Sequence, residues 1–324
     1  MRKQNFVIIL FISMTLTGLL APGPAPCAYP EKPVTFICPW PPGGGMDPIA
    51  RLLAETARKY FPQPMVVVNR GGGAGTIGTA EIIRAKPDGY TIGITAVAVL
   101  TVQPHRTKLP YGSPDDYTPI LKIVDLPVNF AVRSDAPWKT IQEFLVYARQ
   151  NPGKIRLGNS GMGTLLHIMA EQLKSMAKID CSSVPFDGGG EQVPALLGGH
   201  VETLVVPHSV IAPQVKAGKA RVLAVFEEKI NQLFPDAPTF REIGYDLAMG
   251  VYYLVIGPKG LSPEALSMIH DSLKKAQADP AFVNPMEARG NIVTYEGPAA
   301  LKARLMKEYQ NNAKLVEMIG LKGK

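Results

Sequence analysis

Short hydrophobic runs alternate with amphipathic stretches along the chain from residue 34 onwards. The runs at 34–38 (VTFIC) and 65–68 (MVVV) are apolar or β-branched throughout, which is typical of strands buried on both faces of a sheet. A third run lies at 91–95, and the intervening residues 47–60 and 77–86 carry apolar side chains at helical spacing. This order predicts a parallel sheet with helices on its faces.

The same alternation resumes near residue 127 and predicts a second α/β unit. Thr140 and Glu143 have the spacing of a capping box, and Ser262 followed by Pro263 is typical of a helix start. The other predicted elements are strands at 128–132, 155–158, 182–186, 201–206, 220–226 and 251–256, and helices at 140–150 and 298–318.

Glycine-rich loops connect four of the predicted strands to the helices that follow them. A helix N-terminus at the carboxyl end of a strand offers free backbone N–H groups and a partial positive charge. Because glycine lets a ligand approach the backbone closely, several such loops facing each other would bind an anion without Lys or Arg. Asp47 is expected to cap the first of these helices, with Pro48 as its first residue. The four loops are 41–47, 70–78, 158–164 and 186–190.

Residues 1–28 have the pattern of a secretory signal peptide. Arg2 and Lys3 precede an apolar run at 6–20, which is too short to favour a membrane-spanning helix. We expect cleavage after Ala28. Lipid attachment at Cys27 and an uncleaved anchor are the alternatives.

Composition excludes several classes of protein. With 46% hydrophobic and 19% charged residues over 324 residues, the chain is globular and long enough for two domains. The net charge of +7 is scattered over predicted helix faces, so we expect no nucleic-acid partner. Cys38 and Cys181 lie in strand-like runs and resemble small buried residues more than a disulfide framework. The five histidines lack zinc-site spacing, and no metal is predicted.

Two catalytic or cofactor motifs are matched only in part. Gly73, Gly75 and Gly78 fit the dinucleotide-binding pattern, but the acidic residue expected at the end of the next strand is absent. Ser160 sits in a loop like a nucleophile elbow, yet Met162 stands where that motif needs glycine. We therefore predict neither a cofactor nor a catalytic group.

Taken together, the loops resemble those of the extracytoplasmic substrate-binding proteins of the tripartite tricarboxylate transporter family, the Bug-type receptors. The likeness covers about residues 30–324. It is specific because the order and spacing of several motifs agree. These motifs are 39–47 with Ala50 and Arg51, 69–75 with Gly78, 88–91, 158–164 with His167, 184–189, and 217–219 before 222–225.

The resemblance implies an α/β fold of the type II periplasmic-binding-protein architecture. Two α/β lobes would be joined by two crossing strands, near 119–130 and 246–256, with a ligand cleft between them. Lobe 1 would comprise 29–126 plus 252–324, and lobe 2 would comprise 127–251. The implied function is that of a monomeric periplasmic receptor. It would capture a small organic carboxylate and deliver it to the membrane permease subunits of a tripartite tricarboxylate-type transporter.

The resemblance also implies the ligand-binding residues. Asp47 and Thr164 could instead only cap their helices, and His167 could be structural. Ligand contacts are expected from Trp40, Gly43, Gly44, Gly45, Asp47, Gly75, Thr76, Thr95, Ala96, Ser160, Gly163, Thr164, His167, Phe186, Asp187 and Gly188.

Three departures from the family pattern concern the ligand. Met46 replaces a frequent hydroxyl residue, residues 95–98 are less polar than usual, and Val206-Pro207 replaces a frequent aspartate. A more apolar site favours a monocarboxylate or an aromatic carboxylate over a tricarboxylate. An exported enzyme using Ser160 or Asp187 and a ligand sensor without a transport role remain the alternative functions.

Overall fold

The computed structural model describes residues 29–227, 234–247 and 249–323. The predicted signal peptide and Cys27 lie outside these residues. The strands are β1 (Val34–Cys38), β2 (Met65–Asn69), β3 (Thr91–Ala96), β4 (Tyr117–Asp125), β5 (Val128–Arg133), β6 (Ile155–Asn159), β7 (Cys181–Pro185), β8 (Thr203–Pro207), β9 (Ala220–Val225), β10 (Tyr252–Pro258) and β11 (Ile292–Glu296). The helices are α1 (Asp47–Ala57), α2 (Thr76–Arg84), α3 (Val97–Thr101), α4 (Gln103–Arg106), α5 (Ile141–Gln150), α6 (Leu165–Ala177), α7 (Gly189–Leu197), α8 (His208–Lys216), α9 (Pro263–Ala278), α10 (Pro280–Ala288) and α11 (Pro298–Met318).

The strands form two mixed sheets. The first has the order β11-β4-β10-β3-β1-β2 and the second has the order β7-β6-β8-β5-β9. β1 pairs in parallel with β2 and β3, and β6 pairs in parallel with β7 and β8. These are the strands linked by crossover helices, so the predicted parallel order is confirmed. β10 and β5, in contrast, run antiparallel to both of their neighbours.

The chain passes between the sheets at two places that lie side by side. β4 of the first sheet leads within two residues into β5 of the second. The chain returns between β9 and β10. The backbone N–H of Leu126 donates to the carbonyl of Val251 at 2.8 Å, so the two crossing segments are hydrogen-bonded to each other.

Aromatic residues pack together on one face of the second sheet. Phe130 of β5 is fully buried, and its ring centroid lies 4.8 Å from that of Phe144 on α5. Phe240 packs edge-on against Phe130 at 6.1 Å. Truncating such a buried ring typically costs about 3–5 kcal/mol of folding free energy. On the opposite face, Ala131 packs with α7 and α8 residues such as Leu196 and Ile211.

Two of the predicted helix starts are confirmed, and one is wrong. The Thr140 Oγ1 accepts from the Glu143 N–H, and the Ser262 Oγ accepts from the Ala265 N–H, each at 3.2 Å. Asp47 does not cap α1. The residue before the helix is Met46, and Asp47 is already helical. Its carboxylate binds neighbouring loops instead, as described below.

The two cysteines within the described residues, Cys38 and Cys181, are free and buried. Cys38 ends β1 and Cys181 begins β7, so they belong to different sheets. Burial raises the pKa of each thiol to about 11, which leaves both uncharged at neutral pH. In the described part of the chain, no helix combines the length and apolar character needed to span a membrane.

Candidate functional site

A narrow cavity of about 50 Å³ lies where the carboxyl ends of strands from both sheets face each other. It has room for a few water-sized groups, at about 10–15 Å³ each. Its wall consists of Trp40, Gly45, Met46, Ala74, Ala96, Val97, Ala98, Val99, Gln103, Ser160, Gly163, Thr164, Leu165, Leu166, Gly188, Gly189, Gln192, Pro207, Val210, Val251 and Tyr253.

The wall is apolar apart from a few uncharged groups. Its polar side chains come mainly from Gln103, Ser160, Thr164 and Gln192, and none of the lining residues is Asp, Glu, Lys, Arg or His. Among the residues described, no cluster of three His, Cys, Asp or Glu side chains could hold a metal. A charged ligand would therefore depend on backbone groups.

Four helices of nine residues or more begin at this cavity: α1, α6, α7 and α8. The wall residues Met46, Leu165, Gly189 and Val210 lie at or beside their N-terminal ends. Within the described ranges, the N–H groups of Met46, Leu165 and Gly189 have no hydrogen-bond partner. The positive ends of four helix dipoles and several unpaired donors thus converge on one space.

Thr164 closes the first turn of α6. Its Oγ1 accepts from the His167 N–H at 3.2 Å and donates to the Gly161 carbonyl at 2.9 Å. The Ser160 hydroxyl donates to the Thr164 Oγ1 at 3.4 Å. These bonds fix the loop 160–164 against the helix that follows it.

His167 supports the loop from behind. Its buried ring accepts the Gly163 N–H at Nδ1, at 3.2 Å, so the ring proton is on Nε2. Burial lowers the pKa of His167, which keeps the imidazole neutral as this bond requires. His167 is therefore a structural residue of the loop.

Asp47 holds the first glycine-rich loop in place. Its Oδ2 accepts from the Gly43 N–H at 3.1 Å, and its Oδ1 accepts from the Asn69 Nδ2 at 2.9 Å. The same Nδ2 donates to the carbonyl of Trp40 at 2.9 Å. Burial alone would raise the pKa of Asp47, but hydrogen bonds from Arg51, Asn69 and Gly43 outweigh it and lower the pKa.

Trp40 forms one wall of the cavity and lies against Gly75. A Cβ at Gly75 would come within 2.4 Å of the indole Cη2, so no larger residue fits there without moving the ring. Gly75 also has φ of +90°, a conformation that favours glycine. On the far side of the cleft, Gly188 would place a Cβ 3.8 Å from the indole Cδ1.

The structure brings part of the predicted set together on the cavity wall. Seven of the sixteen predicted residues line it: Trp40, Gly45, Ala96, Ser160, Gly163, Thr164 and Gly188. Gly43 and Gly44 line an adjoining open groove.

Other predicted residues lie behind the wall or away from it. Asp47 and His167 are buried supports, and Thr95 is buried in β3, where its hydroxyl bonds to that of Thr79 at 2.8 Å. Gly75 backs the indole of Trp40, as described above. Thr76 lines a separate groove, and its hydroxyl donates to the Gly73 carbonyl at 2.9 Å.

The last two predicted residues also lie off the wall. Phe186 packs beside β6, where a Cβ on Gly158 would lie 3.0 Å from its Cε2. Asp187 is exposed to solvent.

Sequence reasoning missed several wall residues because no motif marks them. Gln103 belongs to the short helix α4, which had no amphipathic signal. Its Nε2 donates to the carbonyl of Met162 at 2.9 Å and thereby links the two sides of the cleft. Gln192 and Val210 lie in the first turns of α7 and α8, just outside the glycine-rich loops.

Comparison with known proteins agrees with this geometry. The family model described as the tripartite tricarboxylate transporter family receptor matches residues 49–321. A UPF0065 protein from the gbd 5' region of Cupriavidus necator is 32% identical over 87% of each chain. The solved periplasmic binding protein BugD is 31% identical, with a TM-score of 0.86 over 91% of this chain and all of its own.

Two solved structures from Rhodopseudomonas palustris share the fold at 24% identity and a TM-score of 0.83. One is MatC with bound malate, which matches 89% of this chain and 100% of its own. The other was solved with adipate and matches 90% of this chain and 98% of its own. The family match covers most of the chain, and the two-sheet fold with its glycine-rich loops agrees with it. The chain therefore belongs to the tripartite tricarboxylate transporter receptor family.

Proposed function

We propose that this protein is an exported receptor that captures a small organic carboxylate between its two lobes and delivers it to the permease of a tripartite tricarboxylate-type transporter. One observation carries the proposal. Four helix N-termini converge on a cavity whose wall has no charged side chain. A helix N-terminus favours a nearby anion by about 0.3–1 kcal/mol, and unpaired N–H groups add charge-assisted hydrogen bonds.

The size and polarity of the cavity favour a small ligand with one carboxylate. A second or third carboxylate would need its own donors, and the wall residues include no Lys or Arg to supply them. Apolar side chains such as Val97, Leu166 and Tyr253 would instead cover an apolar ligand body. We therefore favour a short or flat aromatic monocarboxylate over a tricarboxylate, although the distant fold neighbours carry malate and adipate.

In this proposal, the residues of the wall and those behind it have different roles. Trp40 covers the ligand, while backbone N–H groups that are unpaired among the described residues, including those of Gly45, Leu165 and Gly188, are offered to its carboxylate. Ser160, Gly163 and Thr164 form the wall loop beside them, which is held by its own hydrogen bonds. Asp47 and His167 hold the loops in position. Lobe 1 would comprise 29–126 plus 252–324 and lobe 2 would comprise 127–251, hinged where Leu126 bonds to Val251.

The geometry does not favour the alternative of an exported hydrolase. The Ser160 hydroxyl is bonded to Thr164, and the Nδ1 of His167 is occupied by the Gly163 N–H. Neither residue therefore has the nucleophile–base contact that such chemistry needs. Asp187 is exposed and does not line the cavity.

A thermal-shift panel tests the proposal. We expect the mature protein to be stabilised by one or more aliphatic or aromatic monocarboxylates, and the bound acid to be recovered unchanged by mass spectrometry. Stabilisation by citrate alone would contradict the ligand class. Conversion of a bound acid into a product would support the enzyme, and no response to any carboxylate would contradict the receptor.

A further inference from the structure

Gln192 on α7 is a buried polar side chain without a partner. The residue is fully buried and lines the cavity between the lobes. Across the ranges 29–227, 234–247 and 249–323, neither its Nε2 nor its Oε1 has a hydrogen-bond partner. An amide in this state costs folding free energy because it has given up its hydrogen bonds to water.

The two other glutamines that are almost fully buried in the described chain, Gln103 and Gln277, make hydrogen bonds through their side chains. The Nε2 of Gln277 donates to the carbonyl oxygens of Lys122 and Ile123 at 3.1 and 2.6 Å. Gln103 donates to Met162 and accepts from the Arg106 guanidinium at 3.0 Å. Gln192 is different in having an unused donor and an unused acceptor beside an open space.

A second unpartnered amide lies on the same side of the second sheet. Asn129 is fully buried, and its Nδ2 and Oδ1 also have no partner in the described chain. Because side chains alternate along β5, Asn129 shares a face with Ala131, which packs with Val193 and Leu196 of α7. Asn129 pairs with Val206, next to the wall residue Pro207, so it lies near the cleft end of the sheet.

We propose that Gln192, which lies on the same side of the second sheet as the unpartnered Asn129, forms a polar subsite that selects a hydroxyl group on the ligand. A primary amide presents one donor and one acceptor face, and a hydroxyl can satisfy both because it also donates and accepts. A second carboxylate could accept from Nε2 but would leave Oε1 unpaired. An ammonium group would leave Nε2 unpaired. The ligand class is thus a hydroxy-substituted monocarboxylate.

This inference rests on the proposed function, since it places the carboxylate at the helix N-termini and the hydroxyl at Gln192. The unpaired amide would reject an unsubstituted acid, because binding an apolar group there keeps both amide atoms unsatisfied. Such a site discriminates by hydrogen bonding, which separates ligands more sharply than shape does.

Calorimetry with matched acids tests the subsite. The pairs are lactate against propionate, glycolate against acetate, and para-hydroxybenzoate against benzoate, titrated into the full mature chain. We expect the wild type to bind the hydroxylated member of at least one pair about tenfold or more tightly, as one or two hydrogen bonds would give. Gln192→Met, which keeps the side-chain length, should reduce this ratio to within about twofold.

Stability measured on ligand-free protein provides a second readout. Gln192→Met and Gln192→Leu should melt at the same temperature as the wild type or higher, since each removes an unpaired buried amide. A merely structural glutamine would make both variants melt earlier. Gln150→Met, on the exposed last turn of α5, is the control and should leave the ligand ratio unchanged.

The outcomes separate the two proposals. Equal affinity for both members of every pair, an unchanged ratio in Gln192→Met, or earlier melting of both Gln192 variants would overturn the hydroxyl subsite. Failure of the wild type to bind any acid of the panel would instead contradict the proposed function itself.

Discussion

At the residue scale, the shape of the cavity depends on glycines that leave space for large neighbouring side chains. Gly75 is the clearest example, because it combines φ of +90° with direct apposition to the indole of Trp40. The sequence showed only that Gly75 belongs to a glycine-rich loop. The structure places it against the Trp40 indole, and we propose that it supports this wall.

Gly75→Ala should therefore weaken ligand binding by displacing Trp40. The substitution also places alanine in a left-handed conformation, which costs about 1–2 kcal/mol of folding free energy. Gly260→Ala is the matched control, since Gly260 has φ of +86° and no atom within 4 Å of an added Cβ. The role of Trp40 would be supported if the two variants melt at comparable temperatures and only Gly75→Ala loses affinity for the acid. Equal affinities in the two variants would contradict it.

At the element scale, we propose that the helix N-termini bind the anion that charged side chains bind in many other anion sites. The order of strands, loops and helices predicted three of the four helices at the cavity, α1, α6 and α7, because their placement follows from chain connectivity. It did not predict α8, which follows no glycine-rich loop. The sequence could not predict which hydrogen-bond partners the first N–H groups of each helix have. At the start of α2, the Gly75 and Ile77 N–H groups both donate to the Gly72 carbonyl in the preceding loop. The loop before α2 reaches the cavity through Ala74.

Thr164→Ala tests the N-terminus of α6. Loss of the cap should cost about 1 kcal/mol of stability and should also lower carboxylate affinity, because the loop 160–164 loses its anchor. Thr140→Ala removes a cap of the same length, 3.2 Å, from α5, which does not line the cavity. Denaturant unfolding and calorimetry of both variants should show similar stability losses, with an affinity loss in Thr164→Ala alone. An affinity loss of the same size in Thr140→Ala would argue against a specific role for α6.

At the scale of the whole molecule, the first sheet is assembled from two distant chain segments. Asp279, between α9 and α10, joins the later segment to the end of α1. Its Oδ2 accepts from the Tyr60 hydroxyl at 2.6 Å and from the Lys59 Nζ at 2.9 Å. These bonds, the Tyr60 hydroxyl first, lower the pKa of Asp279 to about 2 from an ordinary value of 3.8.

The lowered pKa predicts a pH dependence of folding. A carboxyl whose pKa is depressed on folding contributes stability that is complete above its unfolded pKa and is lost as pH falls through its folded pKa. The contribution of Asp279 should therefore disappear between about pH 4 and pH 2. Asp279→Asn should melt earlier than the wild type at neutral pH, and the difference should shrink over that acidic range. A difference that stays constant down to pH 2 would contradict this link.

The sequence revealed more of the fold than of the cavity wall. Strand and helix order, the caps at Thr140 and Ser262, and the glycine-rich loops all leave local patterns. Val251 and Gln192 do not, because their positions on the wall depend on how the two sheets face each other. The cap predicted at Asp47 is wrong for the same reason, because the position of its side chain depends on a distant residue. Its hydrogen-bond partner Asn69 comes from the next strand along the chain.

Above all, we propose that backbone N–H groups in this cleft hold a carboxylate. Calorimetric titration of the mature protein with its best-binding acid and with the primary carboxamide of that acid tests it most directly. We expect one-to-one binding of the acid. The carboxamide should bind at least about 30-fold more weakly, from a difference of about 1 kcal/mol for each of two or more hydrogen bonds. Equal binding of the two compounds, or binding of neither, would contradict the account.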